Sequence, residues 1–166
     1  MSTHEQWVYS IAMPDFTREE IEAVVKASRK IRGANLAGVD LQGADLSEAN
    51  LREANLRKAD LREANLSEAQ LWKANLSEAN LREADLRKAD LRAAKLIEAK
   101  LRGANLHMVN LWGANLLVAD LRGVILCYAN LCYADLMMSD LSKADLREAR
   151  YNSDTKFPEN FDPEAA

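Results

Sequence analysis

Aromatic residues are scarce in this chain, with three Phe, three Trp and four Tyr among 166 residues. Rings therefore cannot be the main filling of its interior. Two cysteines are too few to staple a secreted disulfide scaffold. Six Gly and three Pro exclude a collagen-like or Pro/Gly-rich disordered chain. No apolar run nears the ~20 residues that span a bilayer, and Met1–Ser10 has no basic segment leading into an apolar one. The expectation is a cytoplasmic protein with no membrane association. A net charge of −4, a pI near 5.3 and no basic block argue against direct nucleic-acid binding. What is abundant is narrow: 24 Leu and 27 Ala.

Those residues are in strict order. Leucine recurs every five residues from Leu36 and Leu41 through to Leu141 and Leu146, and Tyr151 takes the next place. Two residues before each central residue stands Ala, apart from Val39, Val109, Val124 and Ser139. Between them lies Asn or Asp, with Gln70, Lys95, Lys100, Ile125 and Arg150 as departures. Ala, Leu, Glu, Lys and Arg are the best helix formers. Yet a step of five residues advances a helix by about 500°, so successive leucines would sit about 140° apart and form no face. A straight strand, with period two, would put alternate leucines on opposite sides. Ala and Leu, two apart, share one side of an extended segment, and Asn or Asp suits a turn. The pattern predicts a coil that bends at every pentapeptide and encloses a column of Leu and Ala.

Tandem A(D/N)LXX over Ala34–Ser153 resembles the pentapeptide-repeat family. The resemblance implies an all-β solenoid, a right-handed quadrilateral β-helix with four pentapeptides per coil and about six coils. The implied organisation is an N-terminal segment with a capping helix over 1–33, the β-helix over 34–153 and a capping tail over 154–166. Some family members are implicated in modulating DNA gyrase by imitating duplex DNA. That role needs a strongly acidic surface, whereas the charges of this repeat region nearly balance. Members of that kind also tend to carry a central Phe, where this chain has Leu.

An open solenoid needs caps. Thr17 and Glu20 fit a capping box, and Phe16 with Ile21 fits a hydrophobic staple. Ile21, Val24, Val25 and Ile31 follow at helical spacing, with Gly33 as a stop. The expectation is an amphipathic helix from Thr17 to Arg32, preceded by a short strand at Trp7, Val8, Tyr9 and Ile11. The tail brings Phe157 and Phe161 where the leucine ladder ends, suited to covering the last coil.

With four repeats per coil, residues twenty apart stack in columns. Arg62, Arg82, Arg102 and Arg122 share one, a candidate anion stripe; a neighbouring column places Arg92 between Trp72 and Trp112, at cation–π spacing. Between Leu46 and Leu91 the outward pairs are almost entirely polar. Beyond Leu96 they include Ile97, Met108, Trp112, Leu117, Val118, Cys127, Tyr128, Cys132, Tyr133, Met137 and Met138. Clustered Met, Tyr and Trp is the composition of a contact patch. Met108, Trp112, Leu117, Val118, Tyr128, Tyr133, Met137 and Met138 are therefore the expected surface for a protein partner or a second copy.

Chemistry is otherwise sparse. No Ser/His/Asp set, phosphate-binding glycine loop or dinucleotide fingerprint is present. His4 lies near the N-terminus, and His107, Cys127 and Cys132 match no zinc spacing. No catalytic residue, metal or cofactor is expected. The resulting expectation is a non-enzymatic interaction scaffold with its contact surface on the C-terminal coils, with DNA-mimicking modulation of gyrase as the alternative.

Overall fold

The computed structural model describes residues 17–28, 31–159 and 161–163. The Trp7–Ile11 strand, His4, and Phe16 of the expected staple lie outside those residues.

Each repeat makes one β-turn. In Leu41-Gln42-Gly43-Ala44 the Ala44 N–H donates to the Leu41 carbonyl at 3.0 Å, and Gly43 has φ +66°. A positive φ confined to the third turn residue defines type II. The same left-handed residue recurs in every repeat from Gly33 to Glu148. Extended residues between turns pair one coil with the next: Asp40 bridges Asp60, Asp60 bridges Asn80, and so on to Asn130 and Arg150, each pair twenty residues apart and parallel. Four turns separate each bridged pair, so the coil has four sides.

The backbone accounting closes within one repeat. In Ala59-Asp60-Leu61-Arg62-Glu63, Ala59 N–H bonds to the turn carbonyl of Leu56, and Asp60 N–H reaches back to Val39. Leu61 and Glu63 donate forward to Asn80 and Arg82. The fifth donor, Arg62 N–H, has no carbonyl opposite it; Asp60 Oδ1 accepts it at 3.3 Å. This Asx bond is why Asn or Asp precedes the leucine. Asn35, Asn55, Asn65, Asn75, Asn105, Asn110, Asn115 and Asn130 do the same. Amides also stack between coils, as Asn55 Nδ2 donates to Asn35 Oδ1 at 2.8 Å.

Leu and Ala alternate inward and form one continuous core that is almost wholly inaccessible from Ala34 to Leu136. Each buried Leu contributes about 2 kcal/mol. Leu fills every large inner place from Leu36 to Leu146, which leaves the described aromatics to the outside and the C-terminal end.

The ends differ from the sequence expectation in detail. Helix α1 spans Arg18–Ser28, shorter than Thr17–Arg32. Its capping box is present: Thr17 N–H donates to Glu20 Oε2 at 2.8 Å, and Glu20 N–H to Thr17 Oγ1 at 3.3 Å. Ile31 is not helical. Its N–H joins the ladder at Asn50 O, its side chain is buried, and Gly33 is a turn residue rather than a helix stop. At the other end, Lys156 bridges Asp135 after a one-residue insertion. Phe157 stands in the next central place, and Phe157 and Phe161, 5.5 Å apart and stacked, pack against the last core residues. Tyr151 meets Phe157 edge-on at 5.4 Å. Among the described residues no helix is long and apolar enough to cross a membrane.

Candidate functional site

The two outward residues of each turn are not equivalent. The first after Leu is mostly half-buried along the side, and the second projects from the corner in the left-handed region. That region costs a non-glycine residue about 1–2 kcal/mol, and most for a β-branched one. In the early coils these corners carry Gly, Glu or Lys. In the later ones they carry Met108, Val118, Tyr128, Tyr133 and Met138 at φ 59–62°. Val118 is 43% exposed, Tyr128 58% and Met138 74%. Bulky apolar groups therefore occupy positions where the backbone opposes them and burial does not reward them.

The eight residues expected at a contact surface fall on three consecutive corners. Met108 and Tyr128 share one, Trp112 and Tyr133 the next, and Leu117, Val118, Met137 and Met138 the third. Leu117 is half-buried; the other seven are exposed, and the described tail, packed over the rod's end, does not cover them. Rings pair along the corners: Trp112 and Tyr133 lie 5.3 Å apart and tilted, His107 and Tyr128 5.6 Å apart and edge-on. Ile125, an exposed residue in an Asx place, adds to the apolar region.

Cys127, expected outward, is buried. Burial raises its thiol pKa, and the neighbouring Asp145 carboxylate acts in the same sense against the Arg147 guanidinium, so the thiol form is favoured. Cys132 is half-buried, and both cysteines are free. Among the described residues no group of three or more His, Cys, Asp or Glu side chains could hold a metal ion.

In the arginine column Arg102 is exposed, while the other three side chains have partners. Arg62 and Arg122 clamp the aspartate two residues before them, Asp60 and Asp120, through charge-assisted hydrogen bonds. Arg82 bonds Asn80. The clamp recurs at Asp85–Arg87, Asp90–Arg92 and Asp145–Arg147. In each case the Arg hydrogen bond holds the aspartate below its ordinary pKa. Arg92 is thus engaged by Asp90 instead of an indole; among the described residues it is Lys73 that lies over a ring, that of Trp72, 4.3 Å from the centroid. A D-L-R triplet was the sequence signal for these pairs, readable once both flanking residues are known to point outward.

Comparison with known proteins follows the repeat. The family model described as Pentapeptide repeats (8 copies) matches residues 31–67, 64–103, 104–142 and 114–150. No curated protein matches the chain. Among solved structures, alr5209, a pentapeptide repeat protein from Nostoc PCC 7120, is 41% identical, with 58% of this chain and 79% of that one covered and a TM-score of 0.57. Rfr23, a pentapeptide repeat protein from the cyanobacterium Cyanothece 51142, is 33% identical over 70% of this chain and 65% of its own, with a TM-score of 0.50. QnrB1, a plasmid-mediated fluoroquinolone resistance protein, aligns at 23% identity over 71% of this chain and 60% of its own, TM-score 0.52, a likeness of fold alone. Proteins of this kind fold as right-handed quadrilateral β-helices, the architecture expected from the sequence.

Proposed function

The chain belongs to the pentapeptide-repeat family, and from that premise we propose that it is a non-enzymatic binding rod of about six coils. Helix α1 closes one end, and the apolar corners of the last coils contact a protein partner or a second copy. The observation that carries this reading is the set of exposed Met, Val and Tyr side chains at left-handed corners. Folding gains little from them there, and strain of this type collects at functional surfaces. The interior of the rod is Leu and Ala, which carry no group able to do catalytic chemistry. Paired aspartates make a surface of neutralised charge, which argues against imitation of DNA.

The test is the triple variant Tyr128→Ser, Tyr133→Ser, Met138→Ser. Its β-type circular dichroism should match wild type, while self-association by sedimentation, or retention of a partner on immobilised protein, is lost. Unchanged mass and unchanged partners would sink the proposal.

A further inference from the structure

One side of the last coils has a layout of its own. It is the side whose central residues are Leu111 and Leu131. His107, Met108 and Tyr128 line one edge, and Trp112 and Tyr133 the other, with about 10 Å of extended chain between them. The floor is the column Asn110, Asn130, Arg150, in which each residue bridges the next.

The hydrogen-bonding character of that floor is one-sided. Asn110 Oδ1 accepts from Trp112 N–H at 3.2 Å and from Asn130 Nδ2 at 3.3 Å, which fills both its lone pairs. Asn130 Oδ1 accepts from Cys132 N–H at 3.2 Å. The side chains left to meet a ligand are mostly donors: the Asn110 amide hydrogens, one on Asn130 and the Arg150 guanidinium. Arg150 is exposed and has no ion pair among the described residues. Aromatic walls and a donor floor fit a ligand that is apolar, rich in acceptors and poor in donors. A sugar, or a strand presenting its own N–H groups, would leave donors facing donors.

A proline-rich segment has that chemistry, since proline keeps its carbonyl and lacks an N–H. Its polyproline II helix is already extended and exposes its carbonyls. One turn advances ~9.3 Å, close to the ~9.6 Å of the two ladder steps from Asn110 to Arg150. Arg150, at the C-terminal end of the column, complements a carboxylate on the segment. Size also favours a peptide over a second copy. Three coils by two sides give a footprint of roughly 300 Å², against ~800 Å² per partner for a stable globular interface.

We propose that this side is a docking track for a proline-rich segment carrying a carboxylate, lying along the rod between the two aromatic edges. The inference rests on the reading of the last coils as the contact surface, and it names the partner's chemistry. The test uses the full chain, 15N-labelled, and three synthetic peptides of about nine residues: a proline peptide with a free C-terminal carboxylate, its amide, and a Gly–Ser peptide. The expected result is a shift of the Trp112 indole and of the Asn110 and Asn130 side-chain amides with both proline peptides and not with Gly–Ser. Trp112→Ala should weaken binding about tenfold or more. Arg150→Gln should weaken the carboxylate peptide about threefold and leave the amide unchanged. No shift at about 1 mM peptide, equal shifts with Gly–Ser, or an equal effect of Arg150→Gln on both proline peptides would overturn the proposal. If association of the intact protein is still lost in the triple Ser variant, the contact surface stands and only the proline reading fails. If the peptide binds while the triple variant associates normally, the track stands and the broader reading fails.

Discussion

Glu22 on helix α1 accepts the backbone N–H of Asp45 at 3.0 Å, taking the place of the carbonyl that a preceding coil would supply. Arg18 does the complementary job at the turn just before Asp45, donating to the Gln42 carbonyl at 2.7 Å and pairing with Glu22 at 3.1 Å. The helix thus caps the solenoid by imitating one rung of its ladder with side chains, besides burying Ile21 against the first core residues.

From this, Glu22→Ala should lower stability by about 1–2 kcal/mol, since it leaves the edge N–H without its charged acceptor and Arg18 without its ion pair. Urea denaturation followed by circular dichroism measures it. A loss no larger than that of Glu19→Ala, an exposed residue of the same helix, would mean the rung is not structural.

The left-handed corners predict opposite effects from opposite substitutions. Val118→Gly should raise stability by about 0.5–1 kcal/mol, the relieved strain less the extra freedom of glycine in the unfolded chain. Gly113→Ala should lower it by about 1 kcal/mol, although a Cβ there would meet nothing within 4 Å. The second result isolates the backbone term, because no clash contributes. Equal melting of Gly113→Ala and wild type would contradict the assignment.

Ile125 interrupts the Asx rule, so nothing at that place can accept the Cys127 N–H. Ile125→Asn should restore the bond and add about 0.5–1.5 kcal/mol, read as a higher urea midpoint. A lower midpoint would show that Ile125 contributes more by packing than the missing bond costs.

Acid stability follows from the Asp–Arg clamps. Asp60, Asp85, Asp90, Asp120 and Asp145 are held below the ordinary 3.8, first by the side-chain hydrogen bond from the arginine two residues on. A depressed folded-state value stabilises the fold above the unfolded pKa and is lost as pH falls through the folded one. The melting temperature should therefore hold from about pH 7 to 5 and fall below about pH 4. Asp85→Asn with Asp145→Asn keeps the Asx acceptors and removes two clamps, so its decline with acid should be shallower. An identical acid profile would show that the exposed pairs carry no weight.

The period of five, the inward Leu and Ala, the turn role of Asn and Asp, and the Thr17–Glu20 box were all legible in the sequence, because each is a local rule. Ile31 was not. The residues before it, Arg29 and Lys30, lack the Ala and Asx that mark a repeat, and helical spacing from Ile21 claimed it first. Lys156 was hidden by the one-residue insertion after Tyr151. The left-handed corner had a signal that spacing alone could have shown: all six glycines stand two places after a central residue. Of the contact surface, its members could be read from outward positions. Strain at Val118, Tyr128 and Tyr133, and the donor floor at Asn110 and Asn130, needed the backbone and hydrogen bonds.

If the apolar corners serve association and not folding, the variant Tyr128→Gly, Tyr133→Gly, Met138→Gly should lose association and keep a urea midpoint equal to or above wild type. Three left-handed residues are relieved in it and little buried surface is removed. A clearly lower midpoint would make these side chains part of the fold's own packing and end the reading of the corners as a contact surface.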